Sequence, residues 1–165
     1  ITIYAFAPGD VSGARNYISQ IRTLRDELAR LEADVKDNPD DVSLRHDLGV
    51  LQFKNGKIDE AIETWKKGAE LEPDNVDVRN LLGKALLEKN QYGEAADQFK
   101  KVIELDENMA TAYYNLAVAQ EYMGKREPAV KNYRKYIELN PMAPKLEDVK
   151  QRISNLEASA EVKES

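Results

Sequence analysis

The sequence has no cysteine, a single histidine and no excess of basic residues. Without cysteine, disulfide bonds and thiolate chemistry are excluded, and a zinc site lacks the several His or Cys ligands that it needs. Acidic residues outnumber basic residues by 30 to 24, which gives a net charge of −6. Because a surface that follows phosphates needs a basic excess, nucleic acid is not expected as the main partner. No apolar run approaches the roughly 18–20 residues of a membrane span.

Motifs for catalysis and for cofactor binding are missing as well. His46 has Asp47 beside it and Ser43 three residues before it. Adjacent residues on a helix point to different sides, so these three do not form a nucleophilic triad. The glycine-rich loops that hold phosphates, G-x-G-x-x-G and G-x-x-x-x-G-K, do not occur. The sequence therefore predicts a protein that is not an enzyme and that holds no cofactor and no metal.

A repeat with a step of 34 residues fills the middle of the chain. Leu-Gly at positions 48 and 49 recurs at 82 and 83, and returns as Leu-Ala at 116 and 117. Later in each copy an alanine precedes a large ring by four residues, in the pairs Ala61 and Trp65, Ala95 and Phe99, and Ala129 and Tyr133. On a helix this spacing puts both residues on one face, where the small residue allows close approach and the ring fills the gap. Each copy therefore predicts two short helices that must stack on their neighbours.

This period, with a small residue in the first helix and Ala-x-x-x-aromatic in the second, resembles the tetratricopeptide repeat (TPR). The resemblance implies an all-α fold, a right-handed α-solenoid of three TPR helix pairs. The predicted repeats are residues 42–75, 76–109 and 110–143. A left-handed residue is expected at the turn inside each repeat, at Gly56, Asn90 and Gly124.

Helical patterns also flank the repeats. Residues 12–41 predict a long N-terminal helix, and residues 144–158 a C-terminal capping helix followed by a frayed tail at 159–165. The long helix carries a heptad seam, which consists of Ala14, Tyr17, Ile21, Leu24, Leu28, Leu31 and Val35. This seam is typical of a coiled coil that makes the protein a homo-oligomer. It also suits a degenerate repeat helix that packs on the first repeat of its own chain.

The first residues are apolar up to the breaker Pro8-Gly9-Asp10, and the chain begins with Ile1 instead of methionine. Residues 1–11 are interpreted either as an arm or as the end of an upstream membrane anchor or signal. The second interpretation implies membrane attachment through sequence upstream of Ile1. Cytoplasmic, periplasmic and membrane-associated locations all remain open.

The resemblance implies that a protein partner, as a peptide or a helix, binds in a concave groove lined by the first helix of each repeat. The groove residues expected on this register are His46, Val50, Phe53, Lys54, Asp77, Asn80, Lys84, Leu87, Glu88, Thr111, Tyr114, Val118, Glu121 and Tyr122. Members that bind chaperone tails carry Lys and Asn on the first helix and basic residues on the third. This sequence departs from that pattern, with His46 and Val50 at the first pair and Thr111 and Asn115 at the basic pair.

Two functions follow from these expectations. The first is a non-catalytic adaptor or scaffold that binds its partner in the groove, in the assembly of a larger or membrane-attached complex. The second is a structural subunit that is held through its N-terminal helix and has no transient groove ligand.

Overall fold

The structure, a computed structural model, describes residues 11–161. Most of the predicted arm and the last four residues of the predicted tail lie outside the described residues. The helices are α1 (Val11–Asp37), α2 (Val42–Lys54), α3 (Ile58–Leu71), α4 (Val76–Glu88), α5 (Tyr92–Leu105), α6 (Ala110–Tyr122), α7 (Arg126–Leu139) and α8 (Leu146–Glu161). No strand occurs between residues 11 and 161, and the predicted all-α fold of repeated helix pairs is confirmed.

The chain forms two compact units, which are described separately. The N-terminal unit ends at Pro73 and contains α1–α3, and the C-terminal unit begins at Asp74 and contains α4–α8. Within each unit, helices that are consecutive in the chain pack against each other, and α4 also contacts α6.

Local signals fix where the repeat helices begin and turn. The side chain of Asp41 accepts a hydrogen bond from the backbone N–H of Leu44 at 3.0 Å, and Asn75 caps α4 in the same way through Val78. At the turn inside each repeat, the backbone adopts a positive φ at Gly56, Asn90 and Gly124, as predicted. Glycine and asparagine tolerate this conformation better than other residues, so the first helix of each pair ends there.

The core of the N-terminal unit is built around Trp65, whose side chain is 1% exposed. Its indole lies directly against Gly49, where an added Cβ would overlap the ring. The ring of Phe53 lies 5.9 Å away at a tilt of 41°. The small residue of α2 therefore makes room for the large ring of α3 in the same repeat, a pairing that the sequence analysis did not assign.

The long helix α1 divides into two halves. Leu28 and Leu31 are buried against Leu48 and Leu51 of α2. This part of the predicted heptad seam is therefore satisfied within the chain. The seam residues before it, Ile21 and Leu24, remain exposed.

The C-terminal unit repeats the ring-and-notch packing. The ring of Phe99 is fully buried against Gly83, and its nearest carbons lie 2.7 Å from the position of an added Cβ. In the last repeat Ala117 takes the place of the glycine, and Tyr133 takes that of the ring. Helix α8 adds Val149 and Ile153 to the same cluster as these two residues.

Two repeats bury a glutamine between their helices. Thr64 donates to the side-chain oxygen of Gln52 at 2.8 Å, and Asn132 donates to that of Gln120 at 2.8 Å. The middle repeat has Leu86 in this position, 34 residues from each glutamine, and Leu86 is 1% exposed. The position therefore accepts either an apolar side chain or a polar one with a partner.

This arrangement gives a stability prediction. Asn132→Ala should lower the free energy of unfolding by about 1–3 kcal/mol, because the buried oxygen of Gln120 then has no donor. The double variant Gln120→Leu with Asn132→Ala removes the orphaned group and should lose less than Asn132→Ala alone. Urea unfolding followed by far-UV circular dichroism measures both. If the double variant is less stable than Asn132→Ala alone, the unpaired oxygen of Gln120 is not the cause of the lost stability.

Candidate functional site

The first helices of the C-terminal unit, α4 and α6, carry ten of the predicted groove residues. Their other side is used in packing, since Val78, Leu82 and Leu86 of α4 and Leu116 and Ala119 of α6 are buried. We call the remaining surface the first-helix face. It consists of Asp77, Asn80, Lys84, Leu87 and Glu88 on α4 and of Thr111, Tyr114, Val118, Glu121 and Tyr122 on α6.

Asn80 is the unusual residue of this face. Its side-chain oxygen Oδ1 is buried and is the one such side-chain atom without a hydrogen-bond partner in the part of the chain that the structure describes. The residue as a whole is half-buried. Burial of a polar atom without a partner costs roughly 1–3 kcal/mol, so this atom does not add to the stability of the fold.

Tyr122 offers an exposed ring that is already held in place. It stacks on Tyr92 of α5, with ring centroids 4.7 Å apart and planes 6° from parallel. The hydroxyl of Tyr92 donates to Oδ1 of Asn90 at 2.6 Å, and this hydrogen bond fixes the ring of Tyr92. Tyr122 nevertheless remains 62% exposed. A ring fixed on one side can bind a partner with its other side at a small entropic cost.

Two other members of the first-helix face are occupied within the chain. The ring of Tyr114 lies 5.9 Å from that of Tyr133 and 5.2 Å from that of Tyr136. Glu121 accepts hydrogen bonds from the hydroxyl of Tyr133 at 2.6 Å and from the guanidinium of Arg152 at 2.7 Å. Both are only half-buried, so each serves packing while keeping a part that a partner can reach.

Arg152 of α8 was missed by the sequence analysis. It joins the capping helix to the carboxylate of Glu121 on α6. Burial and then the hydrogen bond to Glu121 raise the pKa of Tyr133 above its usual range, so the phenol stays protonated and donates. No motif in the sequence marks Arg152, because α8 does not carry the repeat pattern.

The remaining members differ in exposure. Asp77, Lys84, Glu88 and Thr111 are exposed, whereas Leu87 and Val118 are half-buried. The face therefore combines a few apolar side chains with charged side chains of both signs. Such a mixture suits a peptide or a helix that presents both apolar and polar side chains.

The predicted groove residues of the N-terminal unit lie on α2. His46 is half-buried, and its ring nitrogen Nδ1 lies 2.9 Å from Oδ1 of Asp47, so the expectation that these adjacent side chains point to different sides was wrong. The backbone carbonyl of His46 accepts a hydrogen bond from the indole of Trp65 at 3.4 Å. Val50 and Phe53 are half-buried, and Lys54 is exposed. Because Phe53 packs on Trp65, only part of its ring is left for a partner.

An open cleft of the C-terminal unit lies along α7 and α8. Its volume is about 770 Å³, and its apolar floor includes Tyr113, Val130 and Leu156. A salt bridge of 2.7 Å between Arg134 and Glu157 links its two helices. The sequence analysis did not anticipate this cleft.

Between residues 11 and 161 no group of three or more His, Cys, Asp or Glu side chains is arranged to hold a metal ion. None of the helices described is both long enough and apolar enough to cross a bilayer.

Two sequence models of one family match the chain. The model described as TPR repeat matches residues 53–89 and 83–124, and the model described as Tetratricopeptide repeat matches residues 110–142. Together they cover residues 53–142, which is more than half of the chain. Among curated proteins, none matches the sequence significantly.

Solved structures with the same fold include MamA and a domain of RPAP3. One MamA structure has a TM-score of 0.78 at 22% identity, covering 94% of this chain and 87% of that one. A MamA AMB-1 structure is 31% identical with a TM-score of 0.68, covering 75% of this chain and 73% of that one. The first TPR of Spaghetti (RPAP3), bound to the HSP90 peptide SRMEEVD, has a TM-score of 0.66 at 23% identity, covering 72% of this chain and 92% of that one.

Proposed function

The chain belongs to the tetratricopeptide repeat family, and from this premise we propose that the first-helix face of its C-terminal unit binds a segment of a partner protein. Repeats of this family are protein-interaction modules that generally carry no catalytic activity. The ligand we propose is an extended or helical segment with an apolar anchor. The protein would then serve as an adaptor in the assembly of a larger complex.

The observation that carries this proposal is the unpartnered oxygen of Asn80. A carboxamide can accept from a backbone N–H of a bound segment and donate to a backbone carbonyl at the same time. Lys84 lies four residues further along α4, one turn away on the same side, and can meet a carbonyl or a carboxylate. When the half-buried carboxamide turns outward, a partner backbone laid along α4 would give Oδ1 the hydrogen bond that it lacks in the fold.

Tyr122 supplies the apolar contact in this proposal. Its exposed ring lies at the C-terminal end of α6, and α6 contacts α4. Large aromatic side chains at such positions contribute much of the binding energy in protein interfaces. The peptide bound to the first TPR of Spaghetti (RPAP3) supports a peptide as the class of ligand. The positions that suit chaperone tails differ here, so a different peptide is expected.

Asn80→Ala tests the proposal because it separates binding from stability. The probe is a peptide selected for binding to the purified chain from a random displayed library. We expect the variant to weaken binding about tenfold, since one hydrogen bond to a partner contributes roughly 1.4 kcal/mol. Its free energy of unfolding should stay the same or rise, because the substitution removes a buried atom that had no partner. Calorimetric titration and urea unfolding measure the two quantities.

The matched control is Lys100→Ser with Lys101→Ser on α5 of the same unit. Both lysines are exposed and pair with the carboxylates of Asp97 and Glu104. We expect this variant to bind the peptide as the parent chain does. If the control loses the peptide while Asn80→Ala keeps it, the first-helix face is not the binding site, and the structural-subunit hypothesis is favoured.

A further inference from the structure

We propose that the N-terminal half of α1 binds the surface of a membrane that contains anionic lipid. This half, residues 11–25, extends before the part of α1 that is buried against α2. Ile18, Ile21 and Leu24 are 58%, 47% and 39% exposed. Isolated exposed apolar residues are ordinary, but these lie at spacings of three residues and therefore form one stripe.

The charge of this half differs from that of the rest of the chain. Residues 11–25 contain Arg15, Arg22 and Arg25 and no aspartate or glutamate, although the whole chain has a net charge of −6. Arg25 pairs with the neighbouring Asp26 at 3.4 Å. Among the described residues, Arg15 and Arg22 have no carboxylate partner.

Arg15 and Arg22 lie along one edge of the apolar stripe, whereas Arg25, four residues after Ile21, lies within it. Arg15 precedes Ile18 by three residues and Arg22 follows it by four, so both flank Ile18 on the same side of the helix. The far side of this half carries small or amide side chains without charge, such as Asn16, Ser19 and Thr23. An apolar stripe with cations along one edge and an uncharged polar back suits a helix that lies in the lipid interface. Its aliphatic side chains enter the acyl region, and the long arginines reach the phosphates.

A second copy of the chain fits this half less well. Pairing of residues 11–25 with the same residues of another copy offers the arginines no carboxylate in either orientation. A longer overlap would have to continue along the seam, but Leu28 and Leu31 are already buried against α2. Charge complementarity therefore favours a surface that is itself negative. This inference is independent of the peptide site on the C-terminal unit.

Co-sedimentation of the full chain with vesicles tests the inference. One set of vesicles is phosphatidylcholine alone, and the other contains phosphatidylserine as well. We expect binding to the second set only, and weaker binding as salt is added. Arg15→Gln with Arg22→Gln should weaken binding about thirtyfold, because each cation near an anionic surface contributes about 1 kcal/mol. Ile18→Gln, Ile21→Gln and Leu24→Gln together should abolish it while circular dichroism remains helical.

The matched control is Arg30→Gln with Lys36→Gln, which removes the same charge from the other half of α1. We expect this control to bind vesicles as the parent chain does. The inference is overturned if the parent chain does not bind the vesicles that contain phosphatidylserine, or if the control variant weakens binding as much as the arginine variant does. It is also overturned if the parent chain does not bind vesicles but sediments as a dimer, and the variant with glutamine at positions 18, 21 and 24 sediments as a monomer. The stripe is then covered by a second copy of the chain.

Discussion

Trp65→Ala should lower the free energy of unfolding by about 3–5 kcal/mol, the cost of removing a fully packed aromatic side chain from a core. The indole fills the space beside Gly49, and both residues are buried. The surrounding helices are expected to close the gap only in part, so that a cavity remains. Since Trp65 is the single tryptophan, the measurement is urea unfolding followed by far-UV circular dichroism, which does not depend on the indole.

Trp65→Phe is the control for this prediction. The middle repeat already combines a glycine with a phenylalanine, at Gly83 and Phe99. A phenylalanine at position 65 should therefore retain most of the stability that alanine loses. If Trp65→Ala and Trp65→Phe unfold at the same urea concentration, the indole does not fill the space that we assign to it.

Gly83→Val should cost about 3 kcal/mol, at the upper end of what overpacking costs. The nearest carbons of the Phe99 ring lie 2.7 Å from the position of the new Cβ, and the ring is fully buried. The ring therefore cannot move aside without displacing a helix. Gly83→Ala should cost less, because the last repeat holds Ala117 against Tyr133 in the same positions.

A double variant shows whether the clash with Phe99 is the cause. Gly83→Val with Phe99→Ala should lose less stability than the sum of the two single variants, because the added methyl groups enter the space that the ring vacates. Unfolding in urea measures all three variants. Strict additivity would contradict the direct contact between these positions.

The repeat made the fold predictable because its spacing follows from packing. A ring can be buried against a neighbouring backbone only where that backbone lacks a bulky side chain. The common step of 34 residues marked both the small residues and the rings, whereas the pairs Gly49 with Trp65 and Gly83 with Phe99 are seen only in the structure. The turns could also be predicted from the sequence, because few residues adopt a positive φ easily.

The details of the candidate site could not be read in the same way. The stack of Tyr92 on Tyr122 joins positions 30 residues apart, which the 34-residue register does not align. Val149 and Ile153 are buried and set which side of α8 packs on the unit. The sequence does not show which residue of another helix Arg152 then reaches, so its contact with Glu121 was not predicted. The unpartnered oxygen of Asn80 depends on the surroundings of a single atom. Tyr114 and Glu121 were predicted for the groove without any sign that they also bind within the chain.

The most direct test of the proposed function is the NMR titration of the isotopically labelled chain with a library-selected peptide. The account predicts that backbone shifts concentrate on α4 and α6 and that the side-chain amide of Asn80 is among the most strongly affected signals. The signals of Lys100 and Lys101 on α5 should stay in place. Shifts that instead concentrate on the cleft of α7 and α8, around Val130 and Leu156, with Asn80 unchanged, would contradict the assignment of the binding site to the first-helix face.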